Sequence, residues 1–286
     1  MSLNLDNPVR EFKPNYPQLR NIANRCKTEI SLWGRATGKS FDIGFHSANV
    51  AHEMPRGSFV FSGLTYSYLL KYGLPPIVST WNELGYIEGI HYILFKKPKE
   101  GFWARKPFVM PIRFDSVISW YTGAVFYLSS QDVEAPFRGP SIDGIYLDEA
   151  LNIDRVKFEE QVLPTNRGNR EKISHPLHHF LKISSSKPIG TNGRWLIDYG
   201  QHYVQANSKF PLLCRELVEL KYKFIDEPDI AKKKQLWKQI LSLRKRIEFI
   251  PIDLGKKEGR LFYNEADAFD NHFVDFAFFS DNKKRM

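Results

Sequence analysis

Lys39 and Ser40 close the run Trp33-Gly34-Arg35-Ala36-Thr37-Gly38-Lys39-Ser40, in which a cation and a hydroxyl directly follow a glycine. These residue types in this order suit polyphosphate chemistry. Backbone N–H groups and a helix N-terminus would face the phosphates, Lys39 would reach the β- and γ-phosphates, and the Ser40 hydroxyl would ligate Mg²⁺. Further along, the apolar segment Ile142-Asp143-Gly144-Ile145-Tyr146-Leu147 ends in Asp148-Glu149. There the first carboxylate would hold Mg²⁺ through water and Glu149 would polarise an attacking water. A third segment, Phe180-Leu181-Lys182-Ile183, ends in the hydroxyl run Ser184-Ser185-Ser186, placed to sense a γ-phosphate and couple its loss to movement. Together the three predict Mg²⁺-dependent hydrolysis of ATP.

Each segment also has an ordinary explanation. The strict phosphate-loop pattern begins with Gly where this chain has Trp33, so Gly34 must serve the tight turn, and a strand-to-helix turn with a chance Lys-Ser is the alternative. A strand capped by Asp-Glu is common, and a serine-rich turn after a strand is ordinary loop chemistry. The order of the three segments argues for the joint reading. Gln18 precedes the loop at the distance from which many nucleic-acid-driven ATPases read adenine, or is simply an exposed glutamine beginning a helix.

These residues need a scaffold. Thr28 to Trp33 alternates polar and apolar side chains as a strand does, and Ser40 to Met54 is a proline-free, helix-compatible run. Gly57 to Gly63 reads as a buried parallel strand, Leu64 to Tyr72 and Val78 to Leu84 as helices, and Tyr92 to Phe95 as extended. Ser116 to Tyr121 and Ala124 to Ser129 read as a hairpin at the sheet edge. Asn152-Ile153-Asp154 is expected to cap a helix running to about Leu163. Lys96 to Lys106, basic and carrying Phe102 and Trp103, is either a solvated hairpin or a single-strand contact. Leu213, Leu217, Leu220 and Phe224, then Leu236, Ile240, Leu243 and Ile247, mark two amphipathic helices. The second bears Lys232, Lys233, Lys234, Lys238, Arg244, Lys245 and Arg246 on its other faces. The predicted fold is an α/β P-loop NTPase of the additional-strand type: three layers, a central mostly parallel sheet and a small helical lid. Residues 1–210 form its ATPase core with an N-terminal arm, and 211–286 a helical lid and linker.

The 286-residue chain carries 41 Lys and Arg against 32 Asp and Glu, a net charge of +9 that favours polyanionic partners. Cys26 and Cys214 stand far apart without clustered ligands, which indicates neither a disulfide framework nor a zinc site. The N-terminus lacks the order of a signal peptide and no apolar run approaches spanning length, so a soluble, cytoplasmic protein is expected.

With these motifs the chain resembles the large terminase subunit of tailed bacteriophages, the motor that packages DNA into the prohead. The family's loop commonly reads Gly-Arg-x-x-Gly-Lys-Ser/Thr, matching Gly34 to Ser40, and the resemblance implies that Arg35 acts as an arginine finger in cis. Arg138-Gly139, shortly before the acidic strand, corresponds to a pair carried by many members, near which an arginine acts in trans on the neighbouring subunit in some, so Arg138 is the implied candidate for that role. Ser184 to Ser186 stand at the coupling motif, and Glu248-Phe249-Ile250-Pro251-Ile252 at a lid and linker segment. The implied partners are double-stranded DNA, the portal protein, the small terminase subunit and further copies of the chain in a ring, at the portal vertex in the host cytoplasm. The family continues into an RNase H-like nuclease. Glu265, Asp267, Asp270 and Asp275 lie in too short a tail for that fold, so an ATPase domain without nuclease activity is expected. A helicase-like nucleic-acid-dependent ATPase, a P-loop kinase and a nucleotide-binding assembly module without turnover remain alternatives.

Overall fold

A computed structural model of the chain describes residues 13–24, 26–130, 141–198, 200, 209–248, 261–271 and 273. Its frame is one eight-stranded sheet: β1 (Thr28–Trp33), β2 (Ser58–Gly63), β3 (Tyr92–Leu94), β4 (Val117–Trp120), β5 (Val125–Ser130), β6 (Gly144–Asp148), β7 (Phe180–Ser185) and β8 (Leu261–Ala266). They lie in the order β3-β4-β5-β2-β6-β7-β1-β8. Only the β3–β4 and β4–β5 pairs are antiparallel. The five remaining pairs are parallel. β7 therefore stands between the phosphate-loop strand and the acidic strand, the additional-strand arrangement expected from the sequence.

Central strands are buried on both faces, and their apolar side chains fill two layers of core. On β2, Phe59 and Phe61 pack with Phe126, Tyr146 and Phe180 on one face, while Val60 joins Ile30, Ile145 and Ile183 on the other. The first face is covered by α2 (Lys39–Glu53) and the helix Leu74–Glu83, through Ile43, Val50, Ile77 and Trp81. The second receives Ile153, Phe158, Val162 and Leu196. Three layers result. Gly144 is required where β6 passes the Phe180 ring, since a Cβ there would come within 2.0 Å of Phe180 Cε1.

A third cluster joins α1 (Tyr16–Asn24) to the helical hairpin Lys209–Asp226 and Ile230–Glu248, through Leu19, Ala23, Cys214, Leu217, Val218, Ile240, Leu243 and Phe262. The hairpin follows the amphipathic pattern, with Lys232, Lys234, Lys238, Lys245 and Arg246 exposed. Two expectations change. The helix foreseen after Asp154 is a succession of short 3₁₀, α and π segments between Ala150 and Thr165, although Asp154 does cap it by accepting from Lys157 N–H at 3.0 Å. More consequentially, the stretch assigned to lid and linker contains β8, which pairs in parallel with β1 from Thr28↔Leu261 to Trp33↔Ala266. Its mixed polar sequence, LFYNEA, hid it.

Candidate nucleotide-binding site

The loop after β1 turns on Gly38, whose φ of 81° is left-handed and suits glycine. A Cβ there would also meet Gln18 Nε2 at 2.2 Å. α2 starts at Lys39, with the Asp42 N–H donating to Gly38 O at 3.0 Å, and its first-turn amides have no partner within the helix. Gly38, Lys39 and Ser40 are partly buried, Arg35 and Ala36 exposed, and Thr37 buried with its hydroxyl donating to Gly34 O at 2.7 Å. Thr37 thus braces the turn from inside, while Arg35 projects to solvent.

Gln18 is neither an exposed helix start nor an unengaged base reader. Asn15 and Gln18 form a reciprocal cap on α1, each backbone N–H donating to the other's side-chain oxygen at 2.9 and 3.0 Å. The remaining amide hydrogens support the loop from behind: Gln18 Nε2 donates to Gly38 O at 3.3 Å and Asn15 Nδ2 to Thr37 O at 2.9 Å. The Asn-x-x-Gln spacing that makes this cap, with Asn15 as its first member, is present in the sequence.

Opposite the loop, Asp148 ends β6 in register with Ser184 of β7. Glu149 follows with φ 49° and ψ 45°, a left-handed conformation costing a non-glycine residue about 1–3 kcal/mol. It is held by its own N–H donating to Asp148 Oδ1 at 3.0 Å and by Asn152 N–H donating to its carbonyl at 3.1 Å. The turn aims the Glu149 carboxylate at the loop, where Oε1 lies 3.4 Å from Lys39 Nζ. Lys39 also donates to Ser186 Oγ at 2.9 Å. Loop, acidic strand and serine-ended strand therefore meet at one ammonium. Ser184 and Ser185 are buried, and Ser185 Oγ accepts from Leu151 N–H at 2.8 Å, tying the serine run to the turn that carries Glu149.

Burial, and next the charge of Glu149, push the Asp148 carboxyl up to about 6, against the opposing pull of the Glu149 N–H and Lys39. Two adjacent carboxylates facing one lysine leave an ionised Asp148 short of positive charge. The Ser40 hydroxyl and these carboxylates are hard oxygen donors, the chemistry that suits Mg²⁺. Tyr68, absent from the sequence candidates, faces the same pair: its phenol is pushed up by burial and then by the charges of Glu149 and Asp148. Gly73, ending the π-helical turn Leu69–Gly73, lies close to the same carboxylate: a Cβ there would sit 3.7 Å from Asp148 Oδ2.

Behind the loop lies a buried polar chain. Lys182 of β7 pairs with Glu29 of β1 and, at 2.7 Å, with Asp42 of α2. Asp42 accepts from Asn21 Nδ2 at 2.8 Å, Asn264 Nδ2 donates to Asn21 Oδ1 at 2.7 Å, and the Trp33 indole N–H donates to Asn264 Oδ1. At the opposite strand ends, Asp143 accepts from Ser58 N–H and Asn169 Nδ2 at 2.8 Å and is hydrogen-bonded to His178 Nε2 at 2.8 Å, closing the 166–179 loop onto the sheet. Arg138 lies outside the described residues, as does the Phe249 to Ile252 segment. Lys96, Lys97, Lys99, Arg105 and Lys106 are exposed on an irregular loop in which Phe102 and Trp103 are partly buried. No helix among the described residues is long and apolar enough to cross a membrane.

No protein-family model and no curated protein matches the sequence. Among solved structures, the large terminase of the thermophilic bacteriophage D6E in complex with ADP aligns over 96% of this chain and 50% of that one, with 12% identity and a TM-score of 0.53. The same terminase in complex with ATP-γ-S aligns over the same shares, with 13% identity and a TM-score of 0.52. The large terminase ATPase domain of Thermus phage P74-26 aligns over 66% of this chain and 70% of that one, with 19% identity and a TM-score of 0.45. The chain thus spans about half the length of the D6E terminase. Together with the strand order and the loop between β1 and α2, the D6E likeness shows the architecture to be the P-loop α/β fold found in phage large terminases.

Proposed function

We propose that this chain is the ATPase domain of a viral DNA-packaging motor of the large-terminase kind, hydrolysing ATP to ADP and phosphate to move double-stranded DNA into a prohead. The observation that carries the reading is the meeting of Lys39 with Glu149 and Ser186, because hydrolysis coupled to movement needs a phosphate cation, a water-orienting carboxylate and a sensor at one point. Strand order and the D6E likeness support it.

The loop from Gly34 to Lys39 holds the phosphates with those of its backbone amides not bonded within the protein and with one ammonium, backed by Gln18 and Asn15. Glu149, fixed by its strained turn, orients the attacking water and takes its proton. Ser40 and Asp148 would hold Mg²⁺, which when bound neutralises charge on the phosphate oxygens. Arg35, exposed beside the loop, stabilises charge developing on the γ-phosphate, and Arg138 of a neighbouring copy acts in the same sense. Ser184 to Ser186 relay loss of the γ-phosphate along β7 towards the hairpin. The setting is a ring of copies on a portal protein, with a small terminase subunit, in the bacterial cytoplasm.

Phosphate release from Mg²⁺·ATP, with and without double-stranded DNA, tests this. Turnover should rise with DNA and fall about 10²- to 10⁴-fold in Glu149→Gln, with ATP binding retained. Parental turnover in that variant would reject the assignment of Glu149, and ATP binding without any turnover in the parent would favour an assembly module.

A further inference from the structure

The phosphate loop begins with Trp33 where the usual pattern has glycine, and the structure shows what holds it instead. Trp33 is fully buried and its indole N–H donates to Asn264 Oδ1 of β8. The next residue, Gly34, donates its N–H to Ala266 O at 2.8 Å, and a Cβ on Gly34 would lie 3.4 Å from Asp267 Cα. Backbone therefore rests against backbone at the start of the loop. At its exposed crest, Ala36 has a left-handed φ of 61°, and its carbonyl accepts from Asn271 Nδ2 at 2.5 Å.

The segment making these contacts is itself fastened. Asp267 N–H donates to Asp270 Oδ2 at 2.9 Å, and Asn271 N–H to Ala268 O at 3.2 Å, which sets the Asn271 side chain over Ala36. One strand position earlier, Glu265 pairs with Lys187, the residue after the serine run. A short chain segment thus touches the loop's beginning, its crest and the end of β7.

We infer that residues 264–271 are the outer wall of the phosphate loop and set its nucleotide-ready shape, with Asn271 as the positioning residue at the crest. The buried tryptophan and β8 replace the missing glycine as the means of fixing where the loop begins, and Asn271 holds the left-handed alanine that a free loop would relax. This rests on the nucleotide-site reading above. Nucleotide affinity accordingly depends on a segment that follows the helical hairpin in sequence.

The test uses the full chain. Calorimetric titration with Mg²⁺·ATP should show Asn271→Ala binding about five-fold more weakly, the loss expected of one neutral hydrogen bond, and Asn271→Gln recovering most of it. Since Asn271 is not in the core, its thermal midpoint should stay at the parental value. Amide exchange on the ligand-free protein should be faster at residues 34–38 in Asn271→Ala. Unchanged affinity together with unchanged exchange overturns the inference. A parent that fails to bind ATP overturns the nucleotide-site reading instead, and the ligand-free exchange then still decides whether the segment restrains the loop.

Discussion

The Lys39 ammonium donates to the Ser186 hydroxyl at 2.9 Å, which links the phosphate loop to the end of β7. A γ-phosphate must compete for that ammonium. Lys39→Ala should therefore lose both binding and hydrolysis. Ser186→Ala should bind ATP at least as well as the parent, because Lys39 no longer gives up a charged hydrogen bond of about 1.5–3 kcal/mol, while its hydrolysis ceases to respond to DNA. Equilibrium binding and phosphate release read the two effects separately. A more than ten-fold loss of affinity in Ser186→Ala would instead place the pair in the bound state.

Arg35 is exposed in the loop, next to the exposed Ala36 and between the partly buried Gly34 and the buried Thr37. An exposed guanidinium contributes little to stability, so Arg35→Ala should keep the parental melting temperature and ATP affinity. Hydrolysis should fall about 10³-fold or more, the effect of removing an arginine finger. A variant that hydrolyses ATP normally, or that loses its fold, would remove Arg35 from the catalytic set.

Glu29 gives the stability curve a definite slope. Burial, opposed by Lys182 of β7 and reinforced by Asp42 of α2, raises its carboxyl from 4.5 to about 7. Between those values the folded chain holds a proton that the unfolded chain has released, so stability contributed by Glu29 falls as pH rises from about 4.5 to about 7 and is level above. Glu29→Gln keeps an oxygen for Lys182 and should flatten this part of the profile. Urea denaturation of both proteins across the window checks it, and an unchanged slope would show that Glu29 is not its source.

Gly144→Ala should destabilise the fold by about 1–3 kcal/mol, because its methyl would overlap the Phe180 ring and over-pack the β6–β7 contact. The midpoint of chemical unfolding measures this. A neutral substitution would mean that Phe180 moves aside freely.

Motifs made of chemistry-bearing residues were readable in order because their spacing follows the strands that carry them. Gly38, Lys39, Ser40, Asp148, Glu149 and the serine run are such residues, and the place of β7 between β6 and β1 followed from them. The supports were not readable in the same way. Asn264 and Asn271 bear on the loop across more than two hundred residues of chain and have no local pattern, since an asparagine donating to a carbonyl needs only the right place in space. β8 escaped because its alternation is broken by Asn264 and Glu265, which are spent on Trp33 and Lys187. The pairing of Lys182 with Glu29 and Asp42 was hidden similarly: a lysine inside a strand reads as solvent-facing until its partners are known.

The helical hairpin lies in sequence between β7 and β8, and these two strands are the two neighbours of β1. The strands before and after it in sequence are thus both paired with the strand that ends in the phosphate loop. The arrangement is a yoke: β7 and β8 grip β1 from both flanks through parallel ladders, which resist twisting it out of the sheet more than a shift along its axis. On the proposed motor reading, movement started at the nucleotide would leave β1 by the same two rails.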